Sequence, residues 1–264
     1  MAEILSPRPA ATVIPLRDGA NGYEILMLRR NLNSDFVGGA YVFPGGGVDE
    51  TDAGPTAERL ALGITDADAS RRLGLERGGL SFYVACLREL FEEAGLLIAC
   101  TRDGEPLNYS DDVLIRRVAA SRREVNDGRL DFLSMMEREE LWLDFRGLEY
   151  VAHWVTPVGP PRRYDTRFFV ALAPHGQVAT HDAGETVANQ WIRPADALSA
   201  HARGELEMIF PTIRNLEAIA HLSSANDVLS YARALNEIER VEPRIVNRDG
   251  EIQILLSGDD GYDD

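Results

Sequence analysis

One nine-residue stretch decides the fold of this 264-residue chain: Arg88-Glu89-Leu90-Phe91-Glu92-Glu93-Ala94-Gly95-Leu96. The pattern predicts a helix that begins near Leu80 and ends at Ala94, because Gly95 stands where a helix favours glycine just beyond its last turn. At about 100° per residue, the three glutamates share one face of this helix. The opposite face is apolar and is expected to pack on a sheet through Val84, Leu87 and Phe91.

Three carboxylates on one helix face repel one another, at a cost of about 0.2–0.5 kcal/mol for a pair four residues apart. Hard oxygen ligands of this kind suit a divalent cation, so we expect Mg²⁺ or Mn²⁺ between them. Arg88, four residues before Glu92, is expected to hold a carboxylate in place. For this segment taken alone, the alternative is a solvated acidic helix face.

A glycine-rich segment lies upstream, Phe43-Pro44-Gly45-Gly46-Gly47. Glycine lets the backbone come close to a ligand and turn a carbonyl toward a metal. Together with the acidic helix, this segment resembles the Nudix hydrolase signature, G-x5-E-x7-R-E-U-x-E-E-x-G-U, in which U is aliphatic. The second half matches from Arg88 to Leu96, and Gly46 matches the first glycine.

The chain departs from that signature in its middle. Asp52 stands where the signature has glutamate, and 35 residues (53–87) precede Arg88 where the signature has 7, an insertion of 28. A signature with such an insertion resembles that of the branch of the family that includes the peroxisomal coenzyme A diphosphatases. The likeness extends over roughly residues 10–220 and includes the segments 28–30, 39–46, 154–157, 163–169 and 191–194.

The resemblance implies an α/β/α sandwich in which residues 1–264 form a single domain. Helical insertions are expected at about 53–79 and 111–141, and a helical and hairpin extension at about 205–264. The hydrophobic pattern by itself predicts a mixed sheet covered by helices on both faces. It places strands at 11–17, 23–29, 40–43, 148–155, 165–172 and 186–192, helices at 55–75 (broken at Gly63 and Gly74), 80–94, 111–124, 131–141, 194–203, 211–222 and 225–238, and a hairpin within 244–256.

The resemblance also implies a site that hydrolyses a diphosphate bond with a divalent metal. It assigns Glu89 and Glu93 as metal ligands, with Glu92 beside them. A backbone carbonyl of Gly45 or Gly46 is expected as a further ligand.

Proton transfer and phosphate binding fall to other side chains. Two general bases stay open, Glu92 on the helix and Glu185 in a late loop, and Arg88 is counted with the catalytic residues. Because all 27 basic residues are arginine, arginine must hold the phosphates. The candidates are Arg29, Arg30, Arg162, Arg163 and Arg167. For the last three, the alternative is ion pairing with Asp165 or with an exposed acid.

Composition excludes several other classes of protein. A formal net charge of −16 leaves no surplus of cations for nucleic acid or an anionic membrane. Without lysine there is no Schiff-base chemistry and no P-loop. No apolar run approaches the ~18 residues of a membrane span, and Cys86 and Cys100 are expected as buried reduced thiols. We therefore expect a cytoplasmic protein. The resemblance implies a small-molecule diphosphate substrate, and a homodimer is left open.

Three functions remain at this stage. The first is hydrolysis of coenzyme A or acyl-CoA to 3′,5′-ADP and (acyl-)4′-phosphopantetheine. The second is hydrolysis of another diphosphate, such as ADP-ribose, NADH or a nucleotide sugar. The third is a non-catalytic protein of the same fold that senses a nucleotide or serves as a scaffold, which Asp52 keeps open and the three clustered glutamates argue against.

Overall fold

A computed structural model describes residues 5–32, 38–109, 111–181, 186–248 and 250–262. Its helices are α1 (Pro55–Leu60), α2 (Asp66–Leu73), α3 (Leu80–Ala94), α4 (Asp112–Asn126), α5 (Phe132–Arg138), α6 (Pro194–Ala202), α7 (Phe210–Ile219) and α8 (Ala225–Ala234), with a 3₁₀ turn at Glu50–Asp52. Its strands are β1 (Arg8–Gly19), β2 (Gly22–Arg30), β3 (Tyr41–Val42), β4 (Gly45–Gly47), β5 (Ala61–Leu62), β6 (Ala99–Cys100), β7 (Trp142–Asp144), β8 (Leu148–Val155), β9 (Tyr164–Leu172), β10 (Thr186–Ile192), β11 (Arg240–Val241), β12 (Arg244–Arg248) and β13 (Glu251–Leu255).

The central sheet is mixed, with the strand order β10-β2-β1-β9-β8-β11. β1 and β9 run in parallel from the pair Arg8 and Tyr164 to the pair Leu16 and Leu172. β11 is parallel to β8, whereas β1–β2, β2–β10 and β8–β9 are antiparallel. β3 pairs with β2, and β4 pairs with the first half of β1. This is the mixed sheet that the hydrophobic pattern predicts.

Helices cover both faces of this sheet, which makes a sandwich of three layers. On one side, Val84, Leu87 and Phe91 of α3 are fully buried in an apolar cluster that α3 shares with β1 and β2 of the sheet. α1, α2 and α4 contact α3 from its other sides, so it is buried far beyond one amphipathic stripe. On the opposite side, a second apolar cluster joins the sheet to α7 and α8, through residues such as Leu216 and Val228.

Residues 53–79 connect the 3₁₀ turn to the start of α3. They form α1 and α2, and Gly74 (φ 68°) caps the end of α2 as predicted. α1 already ends at Leu60 with Ala61 as its cap, and Gly63 (φ 93°) follows the short strand β5. β5 joins β6 and β7 in a small separate sheet. The insertion thus packs as a helical layer over α3.

The structure corrects a few of the predicted boundaries. The glycines 45–47, expected to end a strand, themselves form β4. Strand pairing decides this, because Thr12 of β1 lies so close that a Cβ on Gly45 would be 2.7 Å from its Cα. α5 ends at Arg138 because the chain turns into β7, while α7 and α8 end at Ile219 and Ala234, earlier than predicted.

Candidate active site

The last two turns of α3 bring the three glutamates to the glycine strand β4. Gly45 donates its N–H to Glu93 Oε2 over 3.0 Å. Glu89 lies against Gly46 so closely that a Cβ there would be 2.7 Å from the Glu89 Cδ atom. β4 packs on α3 in this way because its residues carry no side chains. The structure therefore brings together the five residues expected around a metal.

Arg88 contacts two of the three glutamates and fixes their positions. Its guanidinium donates to both carboxylate oxygens of Asp52, over 2.8 and 2.9 Å, and to the Gly47 carbonyl over 2.7 Å. It also donates to Glu89 over 2.8 Å and to Glu92 over 3.3 Å. Since Arg88 and Asp52 are buried, this is a structural ion pair inside the site. Asp52, which replaces the signature glutamate, is thus a partner of Arg88.

Burial dominates the electrostatics of the glutamates. Loss of solvent raises the pKa of Glu89 to about 7, against the opposing effect of the Arg88 guanidinium. Burial likewise raises the pKa of Glu92. Carboxylates that are costly to ionise in place gain most from a neighbouring cation.

The donor set fits a hard divalent cation, since it consists of carboxylate oxygens beside backbone carbonyls. Glu89 and Glu92 turn to Arg88, and Glu93 turns to Gly45. Accordingly, within the described ranges no three His, Cys, Asp or Glu side chains converge as the ligands of an ion do. The hydrogen bonds to Arg88 and Gly45 keep the three carboxylates apart, and this separation reduces the repulsion between their negative charges.

The helix α4 positions the end of α3, which the sequence did not indicate. Arg122 donates through Nε and Nη2 to the Glu92 carbonyl, over 3.1 and 2.9 Å, and Asn126 donates to the same oxygen over 3.1 Å. Arg122 also donates to the side chain and the carbonyl of Thr180. Nothing local in the sequence marks these residues, because their partners are 30 or more positions away.

A cleft of about 900 Å³ opens in front of the glutamates. Two of the five candidate arginines line it, Arg30 and Arg162. Among the described residues, Arg30 Nε has no hydrogen-bond partner although it is shielded from solvent. Apolar side chains also line the cleft, among them Trp154 and Phe210, whose rings meet edge to face at 5.9 Å.

The other three candidate arginines do not line the cleft. Arg29 is exposed and lies 6.0 Å from the Tyr41 ring. Arg167 is buried, pairs with Asp165 and lies 4.7 Å from the Phe82 ring, so the ion-pairing alternative describes it.

Arg163 is also buried away from the cleft. It pairs with Glu242 and donates to the carbonyls of Leu5, Thr156 and Pro157. Its surroundings are those of a structural arginine. Of the two candidate bases, Glu92 lines the cleft, whereas Glu185 lies outside the described residues.

Two further expectations concern the cysteines and the membrane. Cys86 and Cys100 are buried free thiols, and burial raises the pKa of both. None of the helices in the described parts of the chain combines the length and the apolar character needed to cross a bilayer.

Comparison with known proteins places this geometry in a family. The family described as the NUDT19 Nudix domain matches residues 76–219. Acyl-coenzyme A diphosphatase NUDT19 of Gallus gallus is 31% identical, over 92% of this chain and 74% of that protein, and its Homo sapiens counterpart is 28% identical, over 97% and 76%. A Nudix hydrolase from Alicyclobacillus acidocaldarius has a similar structure, with a TM-score of 0.70 and 29% identity over 86% of this chain and 97% of that one. The chain therefore belongs to the Nudix hydrolases, in the branch of the NUDT19 Nudix domain.

Proposed function

We propose that this enzyme hydrolyses the diphosphate bond of coenzyme A or acyl-CoA, with release of 3′,5′-ADP and (acyl-)4′-phosphopantetheine. The relatives named above as acyl-coenzyme A diphosphatases align with nearly the whole chain, which supports this substrate. The observation that carries the proposal is the composition of the cleft. Its lining combines the glutamates 89, 92 and 93 and the glycine strand with Arg30 and Arg162 and with apolar side chains such as Trp154 and Phe210, as a nucleotide diphosphate joined to a less polar arm requires.

The chain's own residues would divide the work as follows. Glu89 and Glu93, with Glu92 and a carbonyl of Gly45 or Gly46, would hold Mg²⁺ or Mn²⁺. When bound, the metal would neutralise charge on the phosphoryl oxygens and activate a water molecule. Arg88 keeps Glu89 and Glu92 in place through its own anchor on Asp52.

Substrate and proton are handled at the mouth of the site. Arg30 and Arg162 would bind phosphate oxygens, because a guanidinium offers several donors to an anion. The base, Glu92 or Glu185, would take a proton from water as the water oxygen bonds to phosphorus and the bridging P–O bond breaks. A cytoplasmic location and a homodimer stay predictions from the sequence.

Mass spectrometry of products tests the proposal. The protein is incubated with Mg²⁺ or Mn²⁺ and a mixture of coenzyme A, octanoyl-CoA, NADH, ADP-ribose and a nucleotide sugar. We expect 3′,5′-ADP together with the phosphopantetheine product, and no product after chelation of the metal. Cleavage of NADH or ADP-ribose with coenzyme A untouched would overturn the substrate and keep the metal chemistry.

Glu93→Gln provides the matched variant. The amide oxygen can still accept the Gly45 N–H, but the negative charge is gone, so turnover should fall by about 100-fold or more. Glu58→Gln, at an exposed glutamate of α1, is the control and should keep wild-type turnover. Metal binding without turnover on any diphosphate would favour a non-catalytic protein of this fold.

A further inference from the structure

The C-terminal hairpin exposes an apolar face. In the β12–β13 register, Ile245 lies opposite Ile254, and Asn247 lies opposite Ile252. Side chains of directly paired residues project from the same face of a sheet, so the three isoleucines share one face. Ile245 is 46% exposed, Ile254 is 42% exposed and Ile252 is 75% exposed. An apolar face of this kind on a two-stranded ribbon indicates a binding surface.

Part of this face belongs to the active-site cleft. Pro243, Ile245 and Ile254, which we call the hairpin wall, line the same cleft as the glutamates. Trp154 and Phe210 line it too. Ile252 does not line the cleft and lies nearer the hairpin tip. The cleft therefore joins a charged region, which suits a diphosphate, to an apolar region with exposed isoleucines.

The acyl chain is the most apolar part of the proposed substrate and therefore matches the hairpin wall best. The nucleotide and the diphosphate are anionic and belong with the arginines and the metal-binding carboxylates. A saturated hydrocarbon chain gains free energy from burial against isoleucine, proline and aromatic side chains. Continuity of the hairpin wall with the cleft places such a chain within the same bound molecule.

We propose that the hairpin wall binds the acyl chain of acyl-CoA and makes the enzyme prefer acylated over free coenzyme A. This inference rests on the proposed function. Each methylene that the wall buries should raise kcat/KM by up to about fourfold, so the preference should grow with chain length until the wall is covered.

The test compares Ile245→Ser combined with Ile254→Ser against Ile252→Ser. The second variant removes a more exposed isoleucine from the same face of the hairpin but outside the cleft. We measure kcat/KM for free, butyryl- and octanoyl-coenzyme A. In the double variant, the ratio of the octanoyl to the free value should fall about tenfold or more. Ile252→Ser should keep the wild-type ratio, and melting temperatures show whether all variants are folded.

A binding measurement separates this inference from the proposed function. Fluorescence of a dansyl-labelled undecanoic acid reports occupation of the hairpin wall without hydrolysis. Loss of probe binding in the double variant alone would support the wall even if coenzyme A were not cleaved, which would refute the function. If coenzyme A and octanoyl-CoA are both cleaved and neither the ratio nor probe binding changes, the wall is not an acyl site and the function stands.

A second copy of the chain could also bind to this apolar face, and sedimentation velocity tests this by measuring the oligomeric state. If the wild type is a dimer, the double variant a monomer, and the substrate ratio unchanged, the hairpin wall is a dimer contact and the inference is overturned.

Discussion

Gly46 touches the Glu89 carboxylate, and the absence of a side chain is what permits this contact. In Gly46→Ala, the new Cβ would be 2.7 Å from Glu89 Cδ, so the carboxylate must move. Because it is the far end of a flexible side chain, we expect the free energy of unfolding to change little. Displacement of a catalytic group by about 1 Å can cost about 100-fold in rate, and we expect a loss of that order in kcat/KM.

Gly47→Ala is the control for this prediction. A Cβ at Gly47 would meet only the Pro9 carbonyl oxygen, at 4.0 Å, so activity and melting temperature should both stay near wild type. Equal losses of activity in the two variants would show that β4 needs glycine for its backbone and not for the contact with Glu89.

Glu92 is the base candidate that lines the described cleft, and it is also one of the residues proposed to hold the metal. We expect Glu92→Gln to lower kcat by about 100- to 10,000-fold, as loss of a general base does. Glu185→Gln should lower kcat less than severalfold. Titration with Mn²⁺ shows whether Glu92→Gln also loses metal affinity, which would make Glu92 a ligand. A large kcat loss in Glu185→Gln, with Mn²⁺ binding intact, would assign the base to Glu185.

At the scale of elements, the ion pair of Asp52 with Arg88 joins the 3₁₀ turn to α3 across the insertion. Removing one partner of a buried pair typically costs about 3–5 kcal/mol. Since Arg88 keeps Glu89 and Glu92 as partners, we expect Asp52→Ala to lower the free energy of unfolding by about 3 kcal/mol. Chemical denaturation measures this change.

Asp49→Ala is the matched comparison. Asp49 lies 3.5 Å from Arg88 with 65% of its side chain exposed, and exposed pairs contribute at most about 1 kcal/mol. If Asp52→Ala were as mild as Asp49→Ala, the buried pair would not be what connects the turn to α3.

Contacts of this kind also mark the limit of prediction from the sequence. α3 and the longer strands could be predicted because each has a periodic pattern of apolar residues in its own sequence, such as the apolar face of Val84, Leu87 and Phe91. The acidic face of α3 was likewise readable, and so was its relation to the glycine segment through the family signature. Pairing of Asp52 with Arg88 could not be predicted, since 35 residues lie between them in the sequence and only the folded structure brings the two side chains together. For the same reason, the contact of Arg122 with the end of α3 is visible only in three dimensions.

At the scale of the whole molecule, the neighbours Arg162 and Arg163 divide two tasks. Arg162 lines the cleft, whereas Arg163 connects three distant parts of the chain. Its guanidinium donates to the Leu5 carbonyl near one end, to the β8–β9 loop at Thr156, and to Glu242 ahead of the C-terminal hairpin. Multiple hydrogen bonds from one buried charge indicate a structural role.

We therefore expect Arg163→Ala to lower stability more than activity, and Arg162→Ala to lower activity more than stability. Arg163→Ala leaves several carbonyl oxygens without their donor, and we expect a loss of about 3 kcal/mol in the free energy of unfolding. At a temperature where it is folded, its kcat/KM should stay within severalfold of wild type. Arg162→Ala should keep the melting temperature and lose about 10- to 100-fold in kcat/KM, which corresponds to one charged hydrogen bond to phosphate. The reverse pattern would move the phosphate contact to Arg163 and would require the C-terminal hairpin, which Arg163 reaches through Glu242, to shift when substrate binds.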